Sequence, residues 1–195
     1  MSTPPPVLLA SSSAYRRALL TRILPEFDHL GPAVNEVPLE DESADETALR
    51  LARLKALDCA QQRPDALVIG GDQVPTLHGR RLGKPGSHER AVRQLMECAG
   101  QMVVFYTAVA VTGPAAEPVE TYIERTTVQF RPLREAEIQR YLEQDRPYDC
   151  AGSFKAEALG IALFESIETT DPTALQGLPL IWLAGCLRRR GFPLP

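Results

Sequence analysis

Short apolar runs alternate with amphipathic stretches along this chain, and their spacing predicts interleaved strands and helices. Residues 7–10 form a continuous apolar run, the mark of a buried strand. Ser11, Ser12 and Ser13 follow as helix caps, with Ala18, Leu19 and Ile23 at helical spacing and Pro25 as the stop. The acidic, proline-containing stretch 36–45 reads as a loop. Within it Ser43 and Glu46 have the spacing of a capping box. A helix is expected over 47–61, with Leu49, Ala52, Ala56 and Cys59 on one face. Residues 66–69 predict a second buried strand that runs into Gly70-Gly71-Asp72.

The second half continues the pattern. Gly83-Lys84-Pro85-Gly86 is a turn, and Ser87 caps a helix that carries Ala91, Leu95 and Met96 and stops at Gly100. Residues 102–112 form a long apolar strand. After Gly113-Pro114, residues 119–130 return with rough alternation, as in a hairpin. An amphipathic helix over 133–143 turns Leu133, Ile138, Tyr141 and Leu142 inward. A mixed loop over 151–160 leads to a strand over 161–167. Pro179 suits the first position of a last helix, which ends in Arg188-Arg189-Arg190 and Gly191. With no repeat and no linker, this predicts one α/β domain over 1–195 with a mixed sheet.

Composition narrows the class. In 195 residues, 44% hydrophobic and 24% charged, there is enough apolar material for a core without staples. The net charge of -4 lacks the basic excess of a nucleic-acid binder, so no nucleic-acid partner is expected. Cys59, Cys98, Cys150 and Cys186 lie far apart and suggest neither a zinc site nor a disulfide framework. The first six residues lack a signal-peptide pattern, and no apolar run is long enough to span a bilayer. The expectation is a cytoplasmic protein with no membrane partner.

Three places carry candidate chemistry. Ser11 to Ser13 precede a helix whose first turn holds Arg16 and Arg17. Backbone N–H groups, hydroxyls and a guanidinium together suit phosphate, and arginine opposes the helix dipole unless an anion is present. A plain serine cap with two solvated arginines explains the same residues equally well. Asp72, expected at the end of a buried strand, could hold Mg²⁺ or orient water, with Glu36 as the best second carboxylate. Glu40, Asp41 and Glu42 read as a solvated acidic face near a helix start. The chain has three lysines, Lys55, Lys84 and Lys155. Lys55 and Lys84 could neutralise a phosphate tail, against the simpler reading of solvated ammonium groups. Gly79 to Lys84 is not a Walker A loop, there is no GxSxG, and His29, His78 and His88 lack metal-ligand spacing.

The segment 9–17 (Leu-Ala-Ser-Ser-Ser-Ala-Tyr-Arg-Arg) resembles the opening signature of the Maf nucleotide pyrophosphatases. Glu36 before Pro38, Lys55-Ala56, Gly71-Asp72-Gln73-Val74, Leu82-Gly83-Lys84-Pro85, Ala151-Gly152-Ser153-Phe154 and Gly177-Leu178-Pro179-Leu180 resemble further motifs in family order. The resemblance implies a mixed twisted sheet with flanking helices in two lobes around a central cleft, akin to inosine-triphosphate pyrophosphatases. It implies hydrolysis of a nucleoside triphosphate to monophosphate and pyrophosphate with Mg²⁺ or Mn²⁺. Asp72 would be the catalytic base, with Glu36 and Asp72 on the metal. Ser11, Ser13, Arg16, Lys55 and Lys84 would grip the phosphates. Tyr15, Gln73 and Glu157 are similar to the branch that cleaves 7-methyl-GTP, where an aromatic face suits a cationic base and a carboxylate suits its hydrogen-bonding edge. The dTTP/UTP branch and a non-catalytic nucleotide-binding regulator of cell division are the alternatives. A homodimer is compatible with the resemblance. Three departures stand out: Ala14 for the family's Pro, Asn35 for its Asp, and Tyr15 for the branch's more usual Trp.

Overall fold

A computed structural model describes residues 4–114 and 118–195. The expected hairpin between the two long strands turns partly outside those residues. In chain order the elements are β1 (Val7–Ala10), α1 (Ala14–Leu20), β2 (Asp28–Leu30), α2 (Ala44–Gln62), β3 (Leu67–Leu77), β4 (Arg80–Arg81), α3 (His88–Cys98), β5 (Met102–Thr112), β6 (Glu120–Phe130), α4 (Glu135–Asp145), β7 (Phe164–Glu168) and α5 (Leu180–Arg189). Among the described residues seven strands make one sheet in the order β2-β1-β3-β5-β6-β7, with β4 added to β3. β1 runs parallel to β2 and β3, while β4 and β7 pair antiparallel to their neighbours, so the sheet is mixed as expected.

The chain divides into two compact units. The first holds residues 1–73, 107–124 and 171–195, and the second holds 74–106 and 125–170. The first unit is built on β1 and the leading half of β3. Leu9, Leu20, Leu67, Ile69, Val109, Leu178, Leu183 and Leu187 form its core. Trp182 stacks on Tyr122 at 5.4 Å between ring centroids and extends the core toward the start of β6. The second unit has an aromatic centre, in which Phe154 meets Phe105, Phe130 and Phe164 edge to face. Among the described residues no helix is long and apolar enough to cross a membrane.

Helix ends follow their local chemistry. Ser13, Ser43 and Ser87 cap α1, α2 and α3, and the Ser43–Glu46 capping box forms in full. α5 begins after Pro179, whose side chain supplies no cap. Two distant side chains act instead: Thr173 Oγ1 accepts from Leu180 N–H and Asp171 Oδ2 from Ile181 N–H. Its other end closes as a Schellman motif, with Gly191 at φ 83° and Phe192 N–H donating to the Leu187 carbonyl.

Several expectations shift. α1 ends at Leu20, before Pro25, because 3₁₀-type bonds at Arg22 and Ile23 tighten the chain. The buried face of α2 uses Leu51, not Leu49, and includes Lys55. In α3 Cys98 is buried and Met96 is exposed. β3 extends through Gly70-Gly71-Asp72 to Leu77, so Asp72 lies inside a strand and not at its end. Residues 159–163 form a 3₁₀ turn, and the expected strand begins only at Phe164. β2 and β4 carried no apolar pattern. β4 exists because His78 and Gly79 both take positive φ, the conformation that closes a tight two-residue hairpin.

One contact sets the depth of α2. A Cβ on Gly70 would lie 2.3 Å from the Ala52 carbonyl oxygen and 2.7 Å from the Ala56 nitrogen. Only a residue without Cβ lets the helix backbone rest on the strand there. Gly70→Ala should therefore push α2 away, with the cost of overpacking, about 1–3 kcal/mol. Urea denaturation checks this, and a variant as stable as wild type would contradict the contact.

Candidate active site

Successive side chains of a strand point to opposite faces, and β3 uses both. Gly70 and Asp72 face α2. Gly71 and Gln73 face the segment 174–178, where a Cβ on Gly71 would lie 3.0 Å from Leu178. Gln73 donates its amide to Thr107 Oγ1 at 3.0 Å and to the carbonyls of Ala174 and Leu175 at 3.0 and 3.2 Å. That nitrogen is committed to holding the turn before α5, on the opposite face from Asp72.

On the α2 face an ionic cluster forms. Lys55, only 5% exposed, donates from Nζ to Asp72 Oδ1 at 2.7 Å and pairs with Glu36 Oε1 at 3.0 Å. Asp72 is 7% exposed, whereas the Glu36 side chain is 59% exposed. A snorkelling ammonium is thus ruled out for Lys55: its charge is inside and met by carboxylates. Arg16 is half-buried. Its Nε donates to the Gly177 carbonyl at 3.0 Å. Burial lowers the Arg16 pKa, and the charges of Asp72 and Glu36 oppose that shift. Burial pushes the Asp72 carboxyl above its ordinary value, while Lys55 and Arg16 hold it down. The result is a carboxylate moved toward neutrality and surrounded by positive charge, which is how a proton acceptor is tuned.

The serines serve the turn that feeds this cluster. Ser11 is buried and its Oγ accepts from Ser13 N–H at 3.1 Å, while Ser13 Oγ accepts from Arg16 N–H at 3.4 Å. Arg17 instead meets His29 Nε2 at 2.5 Å, on β2. Tyr15 is half-buried in the first turn of α1. Two of the departures keep the local backbone geometry. Ala14 is the first residue of α1, where Pro would only pre-set φ. Asn35 Oδ1 accepts from Val37 N–H at 3.0 Å, an Asx turn that an aspartate would make with the same oxygen. Lys84 and Glu157 belong to the second unit, and both are exposed. In the neighbouring motif Ser153 is buried at φ 63° and gives its hydroxyl to Gln94 Oε1, and Lys155 Nζ donates to the Asp145 carbonyl.

The acidic stretch holds what the sequence pattern missed. Glu42 is not part of a solvated face. Its side chain is 8% exposed and accepts from Arg50 Nε and Nη2 at 2.5 and 2.8 Å, from Thr47 Oγ1 at 2.9 Å and from Leu39 N–H at 3.1 Å. The signal available in the sequence was an arginine eight residues on, at the second turn of the capped helix.

The donor chemistry fits a divalent cation. Two carboxylates converge on one ammonium, which gathers hard oxygen donors at one point. Mg²⁺ commonly takes one or two carboxylates plus phosphate oxygens and water. Among the described residues no group of three or more His, Cys, Asp or Glu side chains offers a full protein cage. Glu36 and Asp72 are the residues that could hold such a cation.

The family described as Maf-like protein matches residues 6–190. A protein of Thiobacillus denitrificans named 7-methyl-GTP pyrophosphatase is 50% identical over 97% of this chain and 94% of its own. Proteins of the same name from Xanthomonas axonopodis pv. citri and Cupriavidus pinatubonensis are 51% and 49% identical, each over 98% of this chain and over 100% and 97% of their own. The solved structure of the Staphylococcus aureus Ham1 protein is a looser likeness, at 17% identity over 64% of this chain and 71% of that one, with a TM-score of 0.44.

The electrostatics give a titration. In the metal-free protein the Asp72 carboxyl should titrate above the ordinary value of 3.8. Lys55→Met removes a charge that lowers it, so the midpoint should move further up. Carboxyl-carbon NMR measures both, and a midpoint at or below 3.8 in wild type would contradict the burial argument.

Proposed function

The chain belongs to the Maf-like protein family, and from that premise we propose that it is a nucleotide pyrophosphatase that hydrolyses 7-methyl-GTP to 7-methyl-GMP and pyrophosphate. Relatives sharing about half of its residues over nearly their whole length bear the name of that activity. The observation that carries the reading is the buried Lys55–Asp72 pair with Glu36 beside it. A phosphate-anhydride hydrolase needs a carboxylate that accepts a proton from water, held among cations that offset the charge of the phosphates.

In this reading Asp72 takes a proton from a water molecule as its oxygen bonds to phosphorus. The bridge between the α- and β-phosphates breaks, and its electron pair leaves with pyrophosphate. Lys55 and Arg16 neutralise charge on the phosphate oxygens, and Ser11 and Ser13 shape the turn beside them. Lys84 is the further phosphate ligand. A divalent cation, Mg²⁺ or Mn²⁺, held by Glu36 and Asp72 would supply added charge neutralisation when bound. Tyr15 stacks on the cationic base, weaker in this role than tryptophan. Glu157 accepts from the N–H groups of the guanine edge. Gln73 contributes through the turn at 174–175 that it holds. Four free cysteines suit the reducing cytoplasm, where we place the protein.

The test uses purified protein with Mg²⁺ and, separately, 7-methyl-GTP, GTP, dTTP and UTP, with products resolved by anion exchange. 7-Methyl-GTP should be cleaved fastest, to monophosphate and pyrophosphate. Glu157→Gln should lower kcat/KM for 7-methyl-GTP by about tenfold or more, as for a charge-assisted recognition bond, and barely change UTP cleavage. Fastest cleavage of dTTP or UTP, or equal losses on both bases, would remove Tyr15 and Glu157 from base recognition.

A further inference from the structure

Glu36 sits in a segment without helix or strand, between β2 and α2, and its side chain is largely exposed. An exposed carboxylate on an irregular segment does not hold its place unaided. Its neighbours are tied to α2. Ala33 N–H donates to Asp58 Oδ2 at 2.9 Å. Arg50 Nη2 donates to the Val37 carbonyl at 3.2 Å, and Leu39 N–H donates to Glu42 Oε2 at 3.1 Å. The last two bonds run through one ion pair, because Glu42 Oε1 and Oε2 accept from Arg50 Nε and Nη2.

Arg50 and Lys55 lie on the same helix, five residues or about 7.5 Å of rise apart. Lys55 fixes the side chain of residue 36, and Arg50 fixes the backbone of residue 37. Consecutive residues are thereby referred to one rigid element. We propose that Glu42, through its fork with Arg50, is a positioning residue that sets the Glu36 carboxylate beside Lys55 and Asp72. This rests on the role given above to Glu36. A side chain that only stabilised the start of α2 would not need a guanidinium that also grips Val37. The capping box at Ser43 and Glu46 already closes that end. The hydrogen bonds from Arg50 hold the Glu42 carboxyl well below the usual carboxylate range, at about 2. Glutamine at position 42 keeps the shape and loses the charge-assisted fork.

The test is a double-mutant cycle on kcat/KM for 7-methyl-GTP, with Glu36→Gln, Glu42→Gln and the pair. Glu42→Gln should lose about tenfold to a hundredfold, as expected for a misplaced group. In the Glu36→Gln background the second change should cost little, because Glu42 acts through Glu36. The same pattern is expected for Arg50→Lys, which keeps the charge without the fork and serves if Glu42→Gln does not fold. Losses that multiply in the double variants would overturn the positioning role and leave a structural one. A Glu36→Gln enzyme as active as wild type would overturn the reading of Glu36 itself, and the positioning role with it.

Discussion

An ammonium group cannot be buried without counter-charge, and the placing of Lys55 governs much of this molecule. The lysine is inside because α2 lies close on β3, and α2 lies close because Gly70 has no side chain to hold it away. The same approach brings Lys55 Nζ onto Asp72, two residues along the strand. Buried ion pairs contribute little net stability, since desolvation offsets their attraction. A Lys55–Asp72 pair is poorly explained by stability alone and well explained by chemistry that needs a base among cations.

Around that pair the first unit is organised by strand alternation. One face of β3 gives Gly70 and Asp72 to α2. The other gives Gly71 and Gln73 to the turn before α5, where Arg16 also bonds Gly177. Arg16 thereby joins two segments while its charge acts on Asp72. The long-range caps from Asp171 and Thr173 fix the start of α5, so the turn that Gln73 and Arg16 hold is itself braced.

Much of this was legible in the residues. Apolar runs marked β1 and β5, rough alternation marked β6, and serine caps marked the starts of α1, α2 and α3. The candidate residues Asp72, Lys55, Glu36 and Arg16 stood out in the sequence, and the fold sets Lys55 between Asp72 and Glu36 with the charge of Arg16 acting on both. What was hidden has physical reasons. Two glycines carry no side chains to show alternation, so β3 read as a strand ending at Asp72 when it runs on to Leu77. β2 is short and mostly exposed, so it shows no buried pattern. Residues 159–163 are apolar like a strand but coil into a 3₁₀ turn. Glu42 sits in an acidic run that looks solvated, and only the distant Arg50 reveals otherwise. The opposite facing of Asp72 and Gln73 follows from the strand extending through both, which the glycines concealed.

In the function proposed above, Asp72 is the base of a hydrolase whose cations are fixed around it. Steady-state turnover of 7-methyl-GTP with Mg²⁺ by a folded Asp72→Asn variant tests it most directly. The kcat of this variant should lie at least about a hundredfold below wild type, the scale of a lost general base. Turnover equal to wild type would contradict it.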